Sequence, residues 1–320
     1  MTTSHENRSR RHRKLVILVA TVVVLVGALL ARWIWPPALR PIEVRVSQPE
    51  LLLDLDAWDA ATSEERQETA AAVAAAAPDF ELRRLETFTR GERTHEVAIF
   101  LHDETAAEFV LVPGGTFTKI GEKAYQVFHP PHEVPVTQPF LLGRTEVSWA
   151  IWQRVRWRGS GVADRPVYDL SSSEAVEFCR DAGLDMPTSR QWEHACRAGR
   201  NCSDGDSRRS FVKGRSLQRK KYKVSDGGTN ALGLFAMLGG VSEWCRNDLS
   251  YSGRDEDPLA FEGPFGYDPG RPTPFVRRTW GPRGCNEIRS TEPPDWFARI
   301  EGGYNYSGLR LARALHVVVD

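Results

Sequence analysis

Residues Asn230 to Trp244, NALGLFAMLGGVSEW, are too apolar for a free loop and too rich in glycine for an ordinary helix. Gly233, Gly239 and Gly240 allow positive φ or close backbone approach. Leu232, Leu234, Phe235, Met237, Leu238 and Trp244 supply core material, so the stretch must be buried against the rest of the chain. Glu243 sits inside it, and a carboxylate among buried apolar groups needs a hydrogen-bonded partner or a cation. Two arrangements satisfy that need: backbone amides around a structural Glu, or a bound calcium ion.

Working outward, the flanking segments contain three capping boxes, Thr62 to Glu65, Ser171 to Glu174 and Thr188 to Gln191. They predict a helix from about Ser63 to Ala77, stopped by Pro78, one that Gly183 can end in the left-handed conformation, and one that ends at Gly199. A short helix is expected from Trp149 to about Val155. Alternating stretches over Phe80 to Phe88 and His95 to His102 read as strands, and Glu108 to Val112 pairs with the second across the turn at Asp103 to Ala107. About a hundred residues dense in Gly, Pro and aromatics follow the last capped helix. The pattern is α+β with much irregular structure.

The N-terminus has a different character. Leu15 to Ala31 carries no charge, and continuing to Trp35 reaches the roughly 20 residues that cross a bilayer. Arg8, Arg10, Arg11, Arg13 and Lys14 precede it, which keeps the N-terminus in the cytoplasm and sends the remainder across. No small-x-small cleavage site stands before the bulky WIWPP, so an uncleaved anchor is expected. The expected organisation is a basic cytoplasmic segment (1–14), a transmembrane helix (15–35), a stalk with a small α/β element (36–107) and a main domain (108–320) outside the cytoplasm or in the periplasm.

In 320 residues, Lys plus Arg and Asp plus Glu each total 42, so net charge selects no polyanionic partner. Local charge does. Arg208, Arg209, Lys213, Arg215, Arg219, Lys220, Lys221 and Lys223 fall in a run without an acid, a candidate surface for an anionic partner, lipid or polymer, or for an acidic protein or peptide. Nucleic acid is not expected outside the cytoplasm. Five cysteines without CxxC spacing leave at least one thiol unpaired within the chain. Cys179 and Cys196 read as buried small hydrophobes, and Cys202 has Cys245 or Cys285 as alternative partners.

The motifs EFVLVPGGTF, HEVPVTQPFLLGRTEVS, the two capped helices, NALGLFAMLGGVSEWC and the closing GLRLARA resemble, in this order, the formylglycine-generating enzyme (sulfatase-modifying factor) family. The likeness runs from about Glu108 to about Ala314. It implies a variant of the C-type-lectin fold, which also carries unrelated functions. For the family's oxidases it implies Cu(I) held by two cysteines five positions apart, thiolates being the soft ligands that copper(I) prefers. Here the matching region has Cys285, but Ser290 stands five positions on, and the preceding Arg-Gly-Gly-Ser motif is reduced to Arg283-Gly284-Cys285-Asn286. Copper is therefore not expected. The family's calcium segment corresponds to Gly239 through Trp244, with Gly240 in place of asparagine. That leaves the Glu243 carboxylate and the Val241 carbonyl as a weak calcium site. The expectation is a membrane-anchored binding domain without copper chemistry, the alternative being an oxidase that converts a substrate cysteine to formylglycine.

Overall fold

The computed structural model describes residues 39–119, 122–124, 127–129, 132–199, 222–226, 228–237, 240–246, 275–277 and 307–319. The expected membrane span at 15–35 lies outside them, as do Cys202, Cys285, Ser290 and the basic residues from Arg208 to Lys221. Among the described residues no helix is long and apolar enough to cross a membrane.

The centre is a six-stranded sheet built from β1 (Ile42–Val44), β2 (Phe80–Arg90), β3 (Arg93–His102), β4 (Ala107–Val112), β9 (Phe140–Gly143) and β13 (Ala312–Val317), in the order β1-β13-β9-β4-β3-β2. Only β1 and β13 pair in parallel. The hairpin expected across Asp103 to Ala107 forms, with Leu101 opposite Glu108. The expected division between residues 107 and 108 falls inside β4, so one sheet runs across it and both flanks share one core. Ile99, Phe100, Phe109, Leu111, Phe140 and Leu141 are fully buried there. Each contributes about 1.5–3 kcal/mol by leaving water.

Helices α1 (Glu50–Leu53), α2 (Leu55–Ala60) and α3 (Ser63–Ala76) precede β2. The Thr62 capping box forms as expected. The helices α1 and α2 are not announced by sequence periodicity, because they are too short to show one; tertiary bonds hold them instead. Gly114 donates to Leu52 O at 2.9 Å and accepts from Leu55 N–H at 3.0 Å. A Cβ on Gly114 would lie 2.5 Å from both Leu53 O and Val136 O, so this turn requires glycine. Arg66 donates to the carbonyls of Trp58, Asp59 and Ala61 at the end of α2 and pairs with Glu96 at 2.7 Å.

Beyond β4 come the small pairs β5 (Gly115–Lys119) with β8 (His132–Val136) and β6 (Glu122–Ala124) with β7 (Val127–His129). After β9, three helices follow, α4 (Trp149–Val155), α5 (Ser172–Asp181) and α6 (Ser189–Arg197). Both expected capping boxes form on α5 and α6. Trp152 of α4 stacks on Phe178 of α5, with ring centroids 4.5 Å apart. A second sheet of β10 (Ser242–Cys245) between β11 (Phe275–Arg277) and β12 (Ser307–Leu309) completes the described elements, confirming an α+β architecture.

Candidate functional site: a buried acid pair beneath Gly240

Asn230 fixes the start of the decisive segment. Its side-chain oxygen accepts from Leu232 and Leu234 N–H, and its amide donates to Ala195 O at the end of α6. Gly233 follows with φ +74°, and a Cβ there would sit 2.4 Å from the Phe88 ring of β2. Arg144 closes the same junction. It lies between the rings of Phe88 and Phe235, at 5.0 and 5.4 Å, donates to Gly233 O, and pairs with Glu108 at 2.6 Å. The segment is thereby clamped between β2, α6 and the end of β9.

Its far end leads into β10 and the buried polar centre. Glu243 is buried, and its partner is a guanidinium rather than backbone amides. Arg310, 0 % exposed between β12 and β13, donates to both Glu243 oxygens at 2.8 to 3.2 Å. Trp192 Nε1 of α6 donates to Glu243 Oε2 at 2.5 Å. Arg310 also donates to Gly143 O and Phe235 O, tying β9 and the apolar segment to the same charge.

A second carboxylate, Glu146, lies beside this pair and is 0 % exposed. Val147 places it, donating to Leu309 O and accepting from Val167 N–H, so the Glu146 side chain is directed inward. Tyr222 OH lies 2.8 and 2.6 Å from the two Glu146 oxygens, and Val241 N–H donates to Glu146 Oε1 at 2.9 Å. Gly240 makes room: its φ is +77°, and a Cβ would meet Glu146 Oε1 at 2.3 Å and Tyr222 OH at 2.5 Å. Burial, then the Glu243 charge, pushes the Glu146 carboxyl up to about 8, against the opposing pull of Tyr222 and Arg310. Burial and the neighbouring Glu146 also push the Tyr222 phenol well above its ordinary value. Burial works against the Arg310 charge, but the Glu243 carboxylate outweighs it and raises the guanidinium.

Of the residues singled out in the sequence, Glu243 and Val241 meet in this network, but the donor set does not fit calcium. Both Glu243 oxygens already accept from Arg310 and Trp192, and a divalent ion there would face a guanidinium at hydrogen-bond distance. Among the described residues no group of three His, Cys, Asp or Glu is placed to hold a metal. Lys223, the described member of the basic set, is exposed and pairs with Asp164 at 2.8 Å. Cys179, Cys196 and Cys245 are buried; Cys196 Sγ lies 3.8 Å from Met237 O and Cys245 Sγ 3.9 Å from Glu243 O. Sequence reasoning missed Glu146, Tyr222 and Arg310 as a unit. The available signal was a charge set between apolar residues, as in Leu309-Arg310-Leu311.

Residues 98–314 match the family described as the sulfatase-modifying factor enzyme 1-like domain. Among curated proteins, the formylglycine-generating enzyme of Mus musculus is 28% identical over 158 residues, 41% of this chain and 40% of that protein. The enzyme of the same name from Mycobacterium tuberculosis is 29% identical over 132 residues, 35% of this chain and 44% of that protein. The chain thus spans less than half the length of these relatives. Among solved structures, PvdO from Pseudomonas aeruginosa aligns at TM-score 0.40 and 19% identity, over 73% of this chain and 100% of that one. Treponema denticola variable protein 1 aligns at TM-score 0.42 and 18% identity, over 71% of this chain and 98% of that one.

Proposed function

This chain belongs to the sulfatase-modifying factor enzyme 1-like family, and from that premise we propose a membrane-anchored, extracytoplasmic member with a C-type-lectin-like fold that binds a ligand or protein partner and has lost copper chemistry. The observation that carries the reading is Ser290 five positions after Cys285. A hydroxyl is a poor substitute for the second thiolate that a soft metal needs. The guanidinium on Glu243 supports the same direction for calcium, since a fixed cation of the chain itself occupies that carboxylate.

In this reading the span at 15–35 anchors the chain, with its N-terminus in the cytoplasm. The set from Arg208 to Lys223 supplies the binding chemistry, because clustered cations raise the local concentration of an anionic partner. Titration of Cu(I) into the purified full chain, beside Cys285→Ser, tests the loss of copper chemistry. The expected result is no stoichiometric copper in either. Copper retained by the parent chain and lost in Cys285→Ser overturns it. Binding of soluble polyphosphate tests the basic set: replacing Arg219, Lys220 and Lys221 by serine weakens binding and flattens its salt dependence. Equal binding by parent and variant refutes that assignment.

The second reading, oxidation of a substrate cysteine to formylglycine, is favoured by the names of the two relatives at 28% and 29% identity. Turnover of a cysteine-containing sulfatase peptide that is abolished in Cys285→Ser would establish it.

A further inference from the structure

Among the described residues the buried centre holds the Glu146 and Glu243 carboxylates and the Arg310 guanidinium. The titratable and charged groups that face Glu146 among the described residues are Glu243 from β10, Arg310 from the junction of β12 and β13, and Tyr222. Arg310 is committed to Glu243, with two of its nitrogens on that carboxylate and its other bonds on backbone carbonyls. Among the described residues no cation is hydrogen-bonded to Glu146, and a buried, unpaired carboxylate is among the costliest groups a fold can hold. The hydrogen bonds point the same way. Both Glu146 oxygens lie within 2.8 Å of one phenol oxygen. A phenol has one proton, so an ionised carboxylate must share it between two close oxygen pairs. A carboxylic acid fills both: its O–H donates to the phenol oxygen while the phenol O–H donates to the other carboxyl oxygen.

We propose that Glu146 carries its proton in the folded domain and, with Tyr222 and the Val241 amide, forms a latch that opens in alkali. The latch joins three stretches of chain distant in sequence, since Tyr222 is 76 residues from Glu146 and the Val241 amide is 95. It closes one residue before Lys223, whose own ammonium is tied to Asp164. Gly240 is part of the device, because any larger residue would drive a Cβ into the acid and the phenol.

The sign follows from proton linkage. The folded domain holds the Glu146 proton up to about 8, whereas an exposed glutamate releases it near 4.5. Between those values the folded state binds one more proton than the unfolded state, so stability falls as pH rises. The latch is fully closed at the acid end of this window and lost as pH climbs through the upper value. One proton changes the unfolding equilibrium by up to about tenfold for each pH unit.

Two readouts on the detergent-solubilised full chain test this. The first is the infrared carbonyl band of a protonated carboxylic acid near neutral pH, and the second is the urea midpoint as a function of pH. Glu146→Gln keeps one donor and one acceptor in the same shape. The parent chain is expected to show the band and to lose it in alkali, with the midpoint falling over the same range. Glu146→Gln is expected to lack the band and to flatten that part of the profile. If Glu146→Gln does not fold, Tyr222→Phe serves. It removes the phenol that pairs with both carboxyl oxygens, so the band is lost at a different pH from the parent. A parent chain with no band at neutral pH overturns the latch. So does the same midpoint profile in Glu146→Gln, or a band in Tyr222→Phe that is lost at the parent's pH.

Discussion

Replacing Arg310 by methionine removes the cation paired with Glu243 while keeping most of the apolar stem volume. Among the described residues, the buried Glu243 carboxylate then retains the Trp192 indole as its side-chain donor. Removing one partner of a buried ion pair costs about 3–5 kcal/mol, most of it for the charge left behind. The carbonyls of Gly143 and Phe235 lose their Arg310 bonds as well. Each such loss adds about 1 kcal/mol unless water enters. Against a domain stability of about 5–15 kcal/mol, Arg310→Met therefore removes a third or more. The double variant Glu243→Leu with Arg310→Met removes both charges and is expected to recover part of the loss, because a hydrophobic replacement of a buried pair is often neutral. Urea unfolding of the full chain, with and without a calcium chelator, measures all of this. The parent's midpoint should be indifferent to the chelator. A loss below about 1 kcal/mol in Arg310→Met, combined with a chelator-sensitive parent, would refute the guanidinium as the cation of Glu243.

Other substitutions test the geometry around it. Gly240→Ala should cost more than about 2 kcal/mol, since φ is +77° and the Cβ would meet Glu146 Oε1 at 2.3 Å, whereas Gly183→Ala, at φ +65° with nothing within 4 Å, should cost only about 1 kcal/mol of backbone strain. Equal midpoints for the two would show that the Gly240 contacts are not tight. Arg144→Ala should lose about 1–3 kcal/mol with its Glu108 pair and its place between Phe88 and Phe235, and should be non-additive with Phe88→Ala; strict additivity in urea unfolding counts against a shared cluster. A chain beginning at residue 98 would lack β1, β2 and half of β3 and present raw edges on the rest of β3 and on β13. It should aggregate, and a stable monomer with native near-ultraviolet dichroism would show that the N-terminal strands are dispensable.

Sequence alone was enough for whatever depends on neighbours in the chain. Each capping box is a contact across three residues, Thr62 with Glu65, Ser171 with Glu174, Thr188 with Gln191, and all three form where they were read. The hairpin across Asp103 to Ala107 is likewise local, and the order of the motifs was sufficient for the family. Tertiary structure decided the rest. The helices α1 and α2 span four and six residues and are held by Gly114 and Arg66, neither of which belongs to them. The strand β1 finds its partner at the other end of the chain, pairing Val44 with Val317. Glu243 could be read as a buried carboxylate needing a partner, but not that the partner is Arg310, 67 residues on, or that Glu146 would lie beside it. A charge buried without its counter-charge is too costly to keep, so Glu243 stays buried only once the fold has brought the Arg310 guanidinium onto it.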